Sequence, residues 1–196
     1  LGANHPDTLT STANLASTYR RLDQFEEAVK LEVKVMESHR TDLGDHHSLT
    51  LNSMANLAST YRHQGQLENA EKLAVQTLEL CKIKLGDEHM HTLSSMNVLA
   101  STYQKQRRWS EAEEIQARQL EICTRVQGPK DTYTLTSMSN LVRIWKGLGR
   151  HDAALGLMHR CLELRQQVLG VEHPSTVSTQ STLKAWREEK KLPLVE

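Results

Sequence analysis

The segment from Thr8 to Tyr19, TLTSTANLASTY, returns along the chain at one interval. It stands as TLNSMANLASTY from Thr50, TLSSMNVLASTY from Thr92 and, more altered, TLTSMSNLVRIW from Thr134. A remnant, TVSTQSTLKAWR, starts at Thr176, and each start lies 42 residues after the one before. A self-match at a fixed period without slippage restricts the chain to a stacked repeat array. One unit of such an array cannot bury its apolar face alone, and stacking supplies a continuous core. The 196 residues therefore read as a single repeat domain over 1–196. Its repeats span 1–42, 43–84, 85–126 and 127–168, followed by a capping helix over 169–190 and a tail over 191–196. Residue 1 falls at the beginning of a repeat, so the chain reads as a fragment cut in phase from a longer protein.

Each repeat carries two helical patterns. In the first, Leu9, Thr12, Ala13, Leu15, Ala16 and Tyr19 recur at spacings of three and four, which marks one helix face. His5-Pro6-Asp7 puts proline and an acid in the first turn, and Arg20-Arg21 puts positive charge at the other end. After a break at Leu22-Asp23-Gln24, a second pattern runs from Phe25 to about Thr41, where Gly44 offers a left-handed cap. The copies predict helices near 49–64 and 67–84, 91–106 and 109–125, 133–147 and 151–168, and a ninth near 175–190. Breaks of two to four residues make each pair an antiparallel hairpin. In the ninth helix Arg187 replaces Tyr19, Tyr61, Tyr103 and Trp145, and Lys184 replaces Ala16, Ala58, Ala100 and Val142, as a solvated cap requires. Pro193 and the polar run Glu188–Lys191 close the array. Trp109 and Trp145 read as core and Trp186 as partly exposed. Gly147, Gly149 and Gly156 fall in or beside the helices of the fourth repeat, which is expected to fray first.

Composition narrows the function. The formal net charge is zero, which argues against bulk attraction to nucleic acid or membrane. No apolar run approaches the roughly 20 residues of a membrane span. Cys81, Cys123 and Cys161 are an odd set inside apolar helical patterns, which predicts free, buried thiols in a reducing, cytoplasmic setting. His5, His47, His89 and His173 recur at one position, with Asp131 in the fourth repeat. Zinc ligands must converge on one ion at roughly 2 Å, and residues one helix pair apart do not. These residues therefore read as link groups that hydrogen-bond a helix end, with no metal and no other cofactor. The serines and threonines repeat with the period, as packing residues do, and neither a GxSxG elbow nor a GxxxxGK[ST] loop occurs. The chain is expected not to be an enzyme.

The first helices carry L-A-x-x-Y, as Leu15-Ala16-Ser17-Thr18-Tyr19, followed nine residues later by Ala28, with Ala70, Ala112 and Ala154 as its copies. This resembles the tetratricopeptide repeat. The period of 42 and the link Leu1-Gly2, His5-Pro6, Thr8-Leu9, seen again as Leu169-Gly170, His173-Pro174, Thr176-Val177, resemble the kinesin light chain variety. The middle copies lose Pro to Ser48 and Met90. Met54–Gly65 and Lys30–Glu37 resemble the repeats that end fungal signalling ATPases of the NACHT and NB-ARC type. The resemblance implies an all-α, right-handed solenoid of four helix pairs plus a C-terminal capping helix, whose first helices line a concave groove. It further implies a non-catalytic sensor end of a fungal STAND-type, NLR-like protein. An oligomerisation or scaffold array without a peptide ligand, or a kinesin light chain-like cargo adaptor, are the alternatives.

Residues 8–22, 50–64, 92–106 and 134–148 contain no Asp or Glu, but they contain Arg20, Arg21, Arg62, Lys105, Arg143 and Lys146. The acids, among them Glu26, Glu27, Glu32, Glu68 and Glu71, fall on the second helices. If first helices line the groove, it is positive and its ligand is an acidic peptide or protein segment. Asn14, Asn56 and Asn140 stand in register and would hold that ligand's backbone through paired donors and acceptors. Val98 interrupts this ladder, and Asn97 sits one residue early. Helix-dipole capping alone would also favour Arg20, Arg21, Arg62 and Lys105. No lysine stands early in a first helix, which disfavours the carboxylate clamp that chaperone-binding members of the family carry. Self-association through the N-terminal end and binding of RNA, less favoured at zero net charge, are rival uses of the surface.

Overall fold

The computed structural model of the chain describes residue 2 and residues 4–189. The described residues form nine α-helices: α1 Pro6–Arg21, α2 Phe25–Leu43, α3 Ser48–Gln64, α4 Leu67–Leu85, α5 Met90–Lys105, α6 Trp109–Val126, α7 Thr132–Gly147, α8 His151–Leu169 and α9 Pro174–Glu189. Each bound falls within two residues of its sequence expectation. The architecture is all-α, four helix pairs of tetratricopeptide kind followed by an unpaired last helix. Residue 190 of the expected capping helix and the whole expected tail over 191–196, Pro193 included, lie outside the described residues, as does Leu1 of the first link.

The recurring link residues now have a physical role. The Nδ1 atom of His5 accepts from Asp7 N, and those of His47, His89 and His173 accept from Leu49, His91 and Ser175 N, each at 3.2 Å. In the fourth repeat Asp131 Oδ1 accepts from Tyr133 N at 2.8 Å. Each ring or carboxylate thus satisfies an orphan N–H in a first turn, as helix N-caps do. The threonine three residues on completes the link. Thr50, Thr92 and Thr134 donate to the carbonyls of Gly44, Gly86 and Gly128 at 2.7–2.8 Å. Gly44 takes φ 86°, ψ 167°, not the left-handed helical cap expected of it. That region is essentially closed to residues with a Cβ.

The turn inside each pair has its own rule. Gly65 caps α3 at φ 88°, ψ 3°, and Gly149 turns at φ 75° between α7 and α8. The same repeat position holds Asp23 at φ 57° and Arg107 at φ 62°. Two of the four turns therefore force a side chain into the left-handed region, which disfavours L-residues by roughly 1–2 kcal/mol.

The described residues fall into two compact units, divided between Ile115 and Gln116. In the first unit consecutive helices pack in chain order from α1 to α5. Ala16, Ala28, Ala58, Ala70, Ala100 and Ala112 are wholly buried at the crossings, with Leu51 and Leu93 filling the space around them. A buried leucine of this kind stabilises by about 1.5–3 kcal/mol. In the second unit α7 packs on α8 and α8 on α9. One cluster joins Val142, Ala154, Met158 and Leu183, flanked by Trp145 and Trp186; another joins Leu135, Met138 and Cys161. Trp109 and Trp145 are half-buried, not fully core, because each lies at a helix end. Trp186 is half-buried too, and Arg187 and Lys184 on α9 are exposed. All three cysteines are free and buried.

Candidate functional site

In the first unit a cavity of about 260 Å³ opens between α1, α2 and α3. Ala13, Asn14, Ser17 and Arg20 line it from α1, Glu32, Val35 and His39 from α2, and Leu49, Ser53 and Asn56 from α3. Glu32 is the unusual member. Its side chain is 7% exposed and its Oε1 lies 3.5 Å from Arg20 Nε. Burial pushes the Glu32 carboxyl up from its ordinary value, with the Thr60 hydroxyl and the Arg20 charge pulling the other way. Glu32 Oε2, Arg20 Nε and His39 Nδ1 are all buried and none makes a hydrogen bond within the protein. Burial also holds the His39 imidazole below its ordinary value, which favours the neutral ring. A buried polar atom without a partner costs about 1–3 kcal/mol. Three around one cavity mark a surface that gains from an incoming polar group.

In the second unit a cavity of about 220 Å³ opens between α7, α8 and α9. Ser139, Asn140, Val142 and Arg143 line it from α7, Met158, Cys161 and Arg165 from α8, and Ser178, Thr179, Thr182 and Trp186 from α9. No carboxylate is among them. Arg143 is exposed and donates through Nη2 to Asn140 Oδ1 at 2.5 Å. Arg165 ties α8 to α9, donating through Nη1 to the Ser175 carbonyl at 3.1 Å and to the Thr179 hydroxyl. Lys146 Nζ stands 4.2 Å from the centre of the Trp186 ring, a cation–π contact at the rim.

The two cavities are one repeat site at two addresses. Adding three periods to Ala13, Asn14, Ser17, Glu32, Val35, His39, Ser53 and Asn56 gives Ser139, Asn140, Arg143, Met158, Cys161, Arg165, Thr179 and Thr182. The walls keep their place in the repeat while their chemistry is exchanged. Glu32 becomes Met158, His39 becomes Arg165 and Ser17 becomes Arg143. The first cavity holds an acid beside a base; the second holds two guanidinium groups over an apolar floor.

Of the residues read from sequence, Asn14, Arg20 and Asn56 meet in the first cavity, and Asn140 and Arg143 in the second. Lys146 is engaged on Trp186, and Arg62 lies 2.9 Å from His63 Nε2 and 3.4 Å from Ser59 Oγ. Arg21 and Lys105 are exposed in the last turns of α1 and α5, where the helix dipole favours them. The asparagines do not form a uniform ladder: Asn14 and Asn56 are exposed, while Asn140 is buried against Arg143. Glu32 is the main departure. The sequence sets it among the acids of the second helices, apart from the groove-lining first helices, yet it is buried against Arg20 of the first helix. Sequence reading missed Glu32, His39, Met158 and Arg165. Their register was visible, since each pair is three periods apart.

Models described as tetratricopeptide repeat match the sequence over residues 47–118, and over 8–48 and 134–175. Among solved structures, the chain is similar to the nearly identical TPR-like repeats of a Podosopora anserina protein assigned as a kinesin light chain. That match has 28% identity, covers 95% of this chain and 88% of that one, and has a TM-score of 0.80. The fold is a tetratricopeptide-repeat, kinesin light chain-like one. A point variant of the same repeats matches at 26% identity, 97% and 89% coverage and a TM-score of 0.81. BtubC (BKLC) from P. vanneervenii has 20% identity, 94% and 73% coverage and a TM-score of 0.80, a likeness of fold alone. No curated protein matches the sequence. The chain is a protein-interaction module of the tetratricopeptide-repeat kind. Among the described residues no group of three His, Cys, Asp or Glu side chains is placed to hold a metal. None of the described helices is long and apolar enough to cross a membrane.

Proposed function

We propose that the chain is a scaffold of the kinesin light chain-like, cargo-adaptor kind that takes an extended protein segment in the clefts between successive first helices. The observation that carries this function is the recurrence of one lined cavity at the same repeat position in both units. In the first unit the exposed Asn14 and Asn56 offer donors and acceptors for a peptide backbone. In the second unit Arg143 and Arg165, with Met158 and Trp186 below, suit an acidic residue beside an aliphatic or aromatic anchor. Charge-assisted hydrogen bonds to a guanidinium are the stronger class and weaken with salt when exposed.

The same chemistry would serve the sensor end of a fungal STAND-type ATPase, which the Met54–Gly65 and Lys30–Glu37 runs support. The three free thiols fit a reducing, cytoplasmic setting. Selection from a random peptide library at low and high salt tests the proposal. Wild type should enrich acidic peptides at low salt, and Arg143→Glu should reduce their affinity on the order of tenfold or more. Recovery of no peptide, or of peptides indifferent to salt and to that charge, would overturn it. RNA binding or a concentration-dependent mass without peptide binding would favour the rival uses.

A further inference from the structure

We infer that the cavity of the first unit is a recognition pocket for a primary carboxamide, the side chain of an asparagine or glutamine in the bound segment. The inference rests on the scaffold function above and deepens it.

The pocket wall, lined by Arg20 and Glu32, holds a donor and an acceptor side by side, both buried. Arg20 Nε and the Glu32 carboxylate are 3.5 Å apart, yet Arg20 Nε and Glu32 Oε2 are each left without a hydrogen bond inside the protein. A carboxamide is the neutral group that answers both at once, its NH₂ donating to Glu32 Oε2 and its oxygen accepting from Arg20 Nε. The other side chains fail on elementary grounds. An aspartate or glutamate would set its carboxylate against that of Glu32. A lysine or arginine would bring a second cation against Arg20, with no second acid lining the cavity. A hydroxyl carries its donor and acceptor on one atom, and a neutral imidazole carries them on separate sides of its ring, so neither sets a donor beside an acceptor as a carboxamide does. His39 Nδ1 lies buried in the same wall, close to the Leu49 backbone.

Discrimination should be strong, because a site built from buried polar groups rejects a ligand that leaves them unpaired. Asn14 and Asn56 flank the pocket from α1 and α3, where they would hold the peptide backbone on either side of the carboxamide.

A phage-displayed random peptide library, selected against the whole chain, tests this. Arg143→Glu is included throughout to silence the arginine-lined cavity of the second unit. With Glu32 intact, asparagine or glutamine should be enriched at one position at least about tenfold over aspartate or glutamate, in line with sites that hydrogen-bond a polar group. Glu32→Gln keeps the shape, removes the repulsion and leaves Arg20 as the only charge. The preference should then fall to parity or turn toward the acids. Peptides recovered without an asparagine or glutamine preference, or with one unchanged by Glu32→Gln, would overturn the carboxamide pocket and leave the scaffold standing. Recovery of no peptide from either protein would overturn the carboxamide pocket, and recovery of none with Arg143 intact as well would overturn both.

Discussion

The cavity between α1, α2 and α3 and the cavity between α7, α8 and α9 occupy the same place in the repeat, yet they are chemical opposites. At one second-helix position the four repeats carry Glu32, Ala74, Gln116 and Met158. Glu32 brings a buried acid to the first cavity, and Met158 gives the second an apolar floor. Further along α8, Arg165 stands where α2 has His39. A repeat scaffold fixes where side chains point, so binding chemistry changes by substitution at a few registered positions while the packing alanines stay. The difference teaches that the charge of a repeat surface is not read from its first helices alone.

The largest effect that would break the comparison lies at the third address. Gln116 is wholly buried, and its Nε2 donates to Ser137 Oγ at 2.8 Å; Ser137 Oγ in turn donates to Gln119 Oε1 at 3.2 Å. Its repeat-equivalent Ala74 asks for nothing from Ser95, whose hydroxyl donates to the His91 carbonyl of its own helix and otherwise meets only the weak partner Cys81 Sγ at 3.6 Å. Ser137→Ala should therefore cost about 1–3 kcal/mol in denaturant unfolding. Ser95→Ala should cost about 0.5 kcal/mol or less, since alanine is the better helix former. Equal costs would mean the buried glutamine network does not distinguish the units.

The turns give a smaller contrast. Gly149→Ala should destabilise by about 1 kcal/mol, because it forces a Cβ to φ 75°. Arg107→Gly, at the same repeat position, should stabilise by up to about 1 kcal/mol, the relief of the positive φ being partly offset by glycine's backbone entropy. Thermal unfolding measures both. Gly156 lies inside α8, and an added Cβ there would meet nothing within 4 Å. Gly156→Ala should therefore gain about 0.5–1 kcal/mol. It should also slow hydrogen exchange across 151–169, the region expected to open first.

The smallest effect is the pH dependence of Glu32. Its folded carboxyl is raised by burial, so the native state binds that proton more readily than the unfolded chain. The contribution is fully present below the unfolded value and is lost as pH rises through the folded one. Relative to Glu32→Gln, wild type should gain stability as pH falls from neutral into the carboxylate range. Parallel melting curves across that range would mean Glu32 feels no net burial.

The fixed period made the fold legible, because it carries cap, turn and crossing residues together. His5, Thr50 and Ala28 are each recognisable by their copies. The site was legible only in part, for a physical reason. Glu32 sits in a second helix beside the solvent acids Glu26 and Glu27, and composition does not separate one buried acid from two exposed ones. Comparison down the register does, since its copies are Ala74, Gln116 and Met158. In the same way Asp23 and Arg107 look like ordinary polar turn residues until they are set beside Gly65 and Gly149.

The most direct test of the two opposed cavities is amide chemical-shift mapping on the whole wild-type chain with two small probes. N-acetylglutamine N-methylamide should move the resonances of Asn14, Ser17, Ser53 and Asn56, and N-acetylglutamate N-methylamide, which has no primary carboxamide, those of Ser139, Arg143 and Thr182. If both probes moved the same set, or glutamate the first set, the exchange of chemistry between the two addresses would be contradicted.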